Sequence, residues 1–116
     1  MSRCILLVDD HPDVRRMLGR LLGSMGHRVG AEADCCAGAL EPRSALVDTA
    51  VIDVMLPDGS GIDLADQLLD LHPELRIVLI SSHGAEELGA RVGDPRFAGF
   101  LHKPDLSPAT LGAVLR

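Results

Sequence analysis

Three apolar runs of this chain each give way to polar residues of a particular kind. Ile5 to Val8 leads into Asp9 and Asp10, Ala50 to Ile52 into Asp53, and Phe97 to Leu101 into His102 and Lys103. Three carboxylates gathered in one place would suit a divalent cation, since Mg²⁺ prefers oxygen ligands and takes one or two carboxylates together with phosphate oxygens and water. An ammonium beside them would balance the charge of a phosphoryl group, and a carboxylate can itself attack phosphorus to give an acyl phosphate. Such chemistry requires that residues far apart in the chain meet in one crevice.

Runs of this length and composition read as buried parallel strands, and an open α/β sheet collects its ligand-binding groups beyond the carboxyl ends of its strands. Between the runs the periodicity turns helical. Pro12 suits a first helical turn, and Val14, Met17, Leu18, Leu21, Leu22 and Met25 recur at helical spacing until Gly26. Val29 to Ala33 reads as a second strand, and Cys36 to Val47 as a helix that Pro42 shortens or breaks. After Asp53 comes a stretch dense in turn residues, Met55 to Gly61, and then an apolar stripe of Leu64, Leu68 and Leu71. Arg76 to Ile80 forms a fourth strand that closes on Ser81, Ser82, His83 and Gly84, with Ser82 expected as the cap of the next helix. That helix is marginal: Leu88 and Val92 are its large apolar residues and Gly89 lies in its middle. The fifth strand runs from Phe97 to Leu101, and Ser107 and Pro108 read as N-cap and first residue of a helix carrying Leu111, Val114 and Leu115. Five strands separated by helical segments imply a five-stranded parallel sheet with helices on both faces, because parallel neighbours need crossovers.

With 116 residues the chain is sized for one domain with one core. Aromatics are 2% of it, so the core must be aliphatic. The net charge of −6, without a run of Lys or Arg, argues against this segment gripping nucleic acid or an anionic membrane. Cys4, Cys35 and Cys36 have no metal-ligand spacing and read as reduced thiols of a cytoplasmic protein, with a disulfide between the two neighbours as a remote alternative. No apolar stretch is long enough for a membrane span, and the start lacks the pattern of a signal peptide.

The joint order of Asp9-Asp10, Asp53 followed by Pro57 and Gly61, Ser81, and Lys103-Pro104 resembles the receiver domain of bacterial two-component response regulators. The resemblance spans essentially the whole chain, and implies that residues 1–116 form one receiver domain of the kind found at the front of longer regulators. It implies the flavodoxin-like strand order 2-1-3-4-5. It makes Asp53 the phosphoacceptor, and Asp10, Asp53 and the backbone carbonyl of Met55 the direct ligands of Mg²⁺, with Asp9 acting through a water. Lys103 would hold the phosphoryl oxygens, aimed by a cis peptide before Pro104, and Ser81 would donate its hydroxyl to them. Ser81 and Phe100 would be the switch residues, the latter a phenylalanine where tyrosine is common. Their movement would reshape a surface made of the fourth helix, fifth strand and fifth helix, which controls an output domain, a homodimer or another partner. The implied phosphodonor is a sensor histidine kinase or phosphotransfer protein. The implied role is that of a signalling switch rather than an enzyme. The run Val8 to Pro12 is further similar to receivers that precede a helix-turn-helix output domain, which would make the output transcriptional.

Met55 and His83, two residues beyond Asp53 and Ser81, would flank the path of an attacking water and tune hydrolysis. His11, His27, His72 and His102 have no ligand spacing and are given no role. A hydrolase of the haloacid dehalogenase type needs a second Asp two residues after the first, where this chain has Met55. A nucleotide-binding loop is not completed by Gly59-Ser60-Gly61. The alternative that stays open is a receiver-like interaction module that works without phosphorylation.

Overall fold

The computed structural model describes residues 2–41 and 46–116. Five strands, β1 (Cys4–Val8), β2 (Arg28–Ala33), β3 (Thr49–Asp53), β4 (Arg76–Ser81) and β5 (Gly99–His102), form one parallel sheet in the order 2-1-3-4-5. Helices α1 (Pro12–Ser24), α2 (Cys36–Ala39), α3 (Gly61–Leu71), α4 (Ala85–Leu88) and α5 (Pro108–Leu115) connect or follow the strands. Alternation along the strands divides the core in two. Ile5, Leu7, Val51, Val78 and Ile80 meet Leu18 and Leu22 of α1 and Leu111 and Leu115 of α5. Leu6, Val8, Ile52, Ile77 and Leu79 meet Leu64, Ala65 and Leu68 of α3 on the other face. Central strands buried on both sides are why β1, β3 and β4 read as unbroken apolar runs.

Register decides which residues stand together at the strand ends. Val8 lies opposite Ile52, so Asp9 comes out level with Asp53. Asp53 lies opposite Ile80 and Ser81 opposite His102, so Ser81 and Lys103 emerge one step later on the neighbouring strands.

Several elements depart from the sequence expectations. In α1, Leu18 and Leu22 are buried but Met17 faces outward. α2 is only four residues long, and Pro42, expected to break it, lies outside the described residues. In α3 the buried arc is Ile62, Leu64, Ala65, Leu68 and Leu69, and Leu71, expected in the stripe, is 63% exposed. At 3.6 residues per turn Leu71 sits well round the helix from the centre of that arc, at its last turn. Between Asp53 and α3 the turn-rich stretch folds into a small hairpin, Met55–Leu56 against Gly59–Ser60.

The fourth helix stops at Gly89, whose φ of 88° lies in the left-handed region that favours glycine. Val92, expected on that helix, is instead buried from a 3₁₀ turn, Ala90–Gly93. The cap is Gly84, with no side-chain hydrogen bond, and not Ser82. β5 starts at Gly99 rather than Phe97, because the Phe97 amide closes a turn on the Asp94 carbonyl at 3.0 Å. α5 begins as its sequence predicts: Ser107 and Thr110 form a reciprocal capping box.

The two leucines of differing burial give the first test. Leu22→Ala should cost about 2–5 kcal/mol by removing packing atoms from a fully buried site, whereas Leu71→Ala should fall within about 0.5 kcal/mol of the parent. Urea unfolding midpoints followed by circular dichroism check both values.

Candidate functional site

Lys103 is the only lysine in the chain. It follows β5 directly and its Nζ reaches back across the strand ends to Asp9 Oδ2 at 2.9 Å and Asp53 Oδ2 at 3.1 Å. Both carboxylates are almost wholly buried, and the lysine side chain is 14% exposed. Desolvating these charges costs several kcal/mol for each ion, and the cost is met only where opposite charges and hydrogen bonds are well placed. The chain supplies both. Asp53 Oδ1 accepts the Met55 amide at 3.1 Å, and Asp9 Oδ1 accepts the His11 amide at 2.8 Å.

Burial pushes the Asp53 carboxyl above its ordinary range, with the charge of Asp9 adding to the effect, while the Met55 amide and the Lys103 ammonium pull the other way. Burial works against the charged form of Lys103 as well, but hydrogen bonds to Asp9 and Asp53 outweigh it and hold the ammonium above the usual lysine range. The lysine therefore stays a fixed cation, and Asp53 is the carboxylate least at ease with its charge.

The expected peptide geometry before Pro104 is corrected: no peptide bond among the described residues is cis. A 3₁₀ turn over Lys103–Asp105 starts directly at the strand end and lets the side chain reach the acids from a trans bond, the form that most X-Pro bonds take.

Glycine at position 61 is required by the same crevice. A Cβ built there would lie 2.0 Å from the Asp53 carbonyl oxygen and 2.9 Å from Val54 Cα, both backbone atoms that have no room to move aside. The Gly61 amide closes the loop on the Val54 carbonyl at 2.7 Å, so α3 begins directly against the strand that carries Asp53.

The structure thus brings Asp9, Asp53 and Lys103 together as the sequence predicts. Asp10 stands at the rim, 38% exposed. Ser81 is fully buried at the end of β4, where its Oγ accepts the His83 amide at 3.0 Å. Met55 contributes its amide, and its side chain faces outward. Phe100 is half-buried on β5 and packs against the core face shared with α3. His83 faces Glu87 of α4 at 3.1 Å.

Two residues at the site carried no readable signal of their role. The His11 ring bridges the acid pair, with Nδ1 at 2.9 Å from Asp9 and 3.2 Å from Asp10. Arg15, four residues further on, donates to the Asp9 carbonyl and pairs with Glu32 at 3.1 Å. Adjacency to Asp9-Asp10 marks His11 as close by, but its ring orientation depends on α1 starting at Pro12. His102 donates from Nε2 to the Ser82 carbonyl at 2.8 Å, since a carbonyl can only accept.

Ligand atoms of Asp9, Asp10, His11 and Asp53 all lie within 4.8 Å of one another. Asp9 Oδ2 is buried, and among the described residues the Lys103 ammonium is its one partner. An under-satisfied anionic oxygen among carboxylates fits a small hard dication such as Mg²⁺, which takes oxygen ligands and keeps several waters. The three thiols are free. No helix among the described residues is long and apolar enough to cross a membrane.

Residues 5–116 match the model of the response regulator receiver domain. The chain belongs to this family. It is 44% identical over 85 residues to the DNA-binding transcriptional activator DevR/DosR of Mycobacterium tuberculosis, covering 72% of this chain and 39% of that protein. It is 31% identical over 112 residues to the response regulator UvrY of Escherichia coli K12, covering 95% and 51%. Its structure superposes with a TM-score of 0.81 on the signal receiver domain of NarL from Mycobacterium tuberculosis, at 30% identity over 97% of this chain and 96% of that one. This receiver domain spans about half or less of the length of those two curated relatives.

Removing the cation should expose the cost of the buried acids. Lys103→Met is expected to lower unfolding free energy by about 3–5 kcal/mol near neutral pH. The loss should shrink as pH falls, because Asp53, whose folded pKa is raised, binds its proton in the folded state first, so acid relieves its repulsion with Asp9. Denaturant titrations of both proteins at neutral and acid pH check the sign and the size.

Proposed function

We propose that this receiver domain is a phosphorylation-driven switch in which Asp53 accepts a phosphoryl group from a sensor histidine kinase or phosphotransfer protein. The observation that carries the reading is the buried triangle of Lys103, Asp9 and Asp53, with nitrogen-to-oxygen distances of 2.9 and 3.1 Å. An Asp53 carboxylate oxygen attacks phosphorus, the donor's bond to phosphorus breaks, and the donor group leaves with the electron pair. Lys103 then moves its charge from the bare carboxylate to the phosphoryl oxygens without leaving its place. Asp10, Asp53 and the Met55 carbonyl would hold Mg²⁺ directly and Asp9 would hold it through a water. Bound there, the cation supplies charge stabilisation to the phosphoryl oxygens as they develop charge.

The output follows from the same strand ends. Ser81 would give up its bond with the His83 amide to meet the phosphoryl group, and Phe100 would follow it inward. The surface that responds is formed by α4, β5 and α5. α4 has no fully buried residue, and the segment after it is held to α3 by exposed ion pairs of Arg91 with Asp63 and Asp66 at 2.8 Å. Exposed pairs contribute about 0–1 kcal/mol each, so this face can be reshaped at small cost. Its occupant would be an output domain or a second copy of the chain, in a cytoplasmic regulator of transcription. The domain would assist its own phosphorylation and dephosphorylation and catalyse nothing on another molecule. Met55 and His83 would border the water path that sets the lifetime of the phosphorylated form.

Incubation with Mg²⁺ and acetyl phosphate tests the reading by intact-mass spectrometry. The expected result is a gain of one phosphoryl group, absent in Asp53→Asn and absent when the Mg²⁺ is chelated. No gain in the parent protein would favour an interaction module that signals without phosphorylation.

A further inference from the structure

We infer that Asp58 is a positioning residue that pins the loop carrying Met55, and through it the phosphoacceptor Asp53, to the start of α2. This inference rests on the reading of Asp53 and the Met55 carbonyl as the phosphoryl and Mg²⁺ site, and adds a residue that this reading does not use.

Asp58 lies at the tip of the Met55–Ser60 hairpin. One of its oxygens accepts the Cys36 amide at 2.8 Å and the other the Ala37 amide at 3.1 Å. Both carboxylate oxygens are thereby engaged by the first two residues of α2, from another part of the chain. Those amides hold the Asp58 carboxyl below its ordinary range, so it stays anionic.

The other end of the hairpin is the site itself. Met55 pairs with Ser60 and Leu56 with Gly59, leaving Pro57 and Asp58 as the two turn residues. A two-residue turn on so short a ladder transmits a displacement of its tip to its base. At the base, the Met55 amide holds Asp53 Oδ1 at 3.1 Å, and the Ser60 hydroxyl accepts the Ile62 amide at the start of α3. Asp53 is thus held from two sides, by Lys103 from β5 and by a hairpin whose tip is tied to α2.

The ladder alone is too short to fix the tip, and Asp58 makes no contact with Asp9, Asp53 or Lys103 among its hydrogen bonds. Its influence passes through the backbone of the hairpin and through Cys36, whose Sγ lies 4.0 Å from the Ser60 carbonyl at the hairpin base. Loss of groups that orient metal-binding residues commonly costs about 10–100-fold in metal affinity, and the lower end suits a tether one hairpin away.

The test compares Asp58→Ala, Asp58→Asn and Ile77→Val with the parent. Ile77→Val trims a buried residue well below the strand ends, and supplies a loss of stability with no route to the hairpin. In metal-free protein, amide hydrogen exchange at Met55 should speed up in Asp58→Ala, less in Asp58→Asn, which keeps one acceptor oxygen, and not beyond the global loss in Ile77→Val. In Mg²⁺ titrations followed by NMR, the dissociation constant should rise about tenfold in Asp58→Ala and stay at the parent value in Ile77→Val. Parent-like exchange at Met55 in Asp58→Ala, or an Mg²⁺ affinity that tracks stability alone across the three variants, would overturn the inference. Failure of the parent protein to bind Mg²⁺ would instead overturn the metal reading beneath it, with the exchange experiment still deciding the tether.

Discussion

The arrangement depends on one electrostatic constraint: two buried carboxylates from different strands share a single ammonium. Asp9 and Asp53 emerge level with each other from adjacent parallel strands, and without Lys103 their like charges would face one another in a water-poor crevice. At a few ångströms such a repulsion is large compared with the net stability of a small domain. The order of the sheet supplies the remedy, because β5 at its edge delivers the chain's only lysine to the same end. Burial leaves Asp53 less content as an anion than an exposed carboxylate, and the Lys103 ammonium pulls in the opposite direction, favouring the charged form.

That constraint explains the local devices around the crevice. Gly61 is needed because α3 must begin in contact with the backbone of Asp53. The amides of His11 and Met55 each satisfy one oxygen of an acid, so that each acid turns its second oxygen to Lys103. His11 also ties Asp9 to Asp10, drawing the exposed acid of the pair toward the buried one. The helix assigned to the responding surface of the proposed switch is correspondingly weak: α4 has four residues, ends at a left-handed glycine, and buries none of its side chains fully. Firm strand ends and a loosely held flanking helix are what the proposed switch requires.

What was legible in the sequence followed from periodicity and from the strand ends. The apolar runs of β1, β3 and β4 are doubly buried and could be read directly, as could the Pro12 and Ser107-Pro108 starts of α1 and α5. The acids and the lysine were legible because a parallel sheet places the carboxyl ends of its strands on one side. Features set by tertiary contact were not legible. Leu71 has the spacing of a core leucine but lies off the buried arc of α3, and Phe97 is claimed by a turn before β5 begins. The capping of α2 by Asp58 joins residues whose sequence separation gives no cue. Helix α4 could be recognised as weak, yet its division at Gly89 into a helical turn and a 3₁₀ turn depends on the burial of Val92.

A double-mutant cycle on unfolding free energy tests the shared-cation constraint most directly. The parent, Lys103→Met, Asp53→Asn and the double variant would be compared at neutral pH. The constraint requires the lysine substitution to be much less harmful once Asp53 is uncharged, with a coupling of about 1–3 kcal/mol. Additive effects, with no coupling between the two positions, would contradict it.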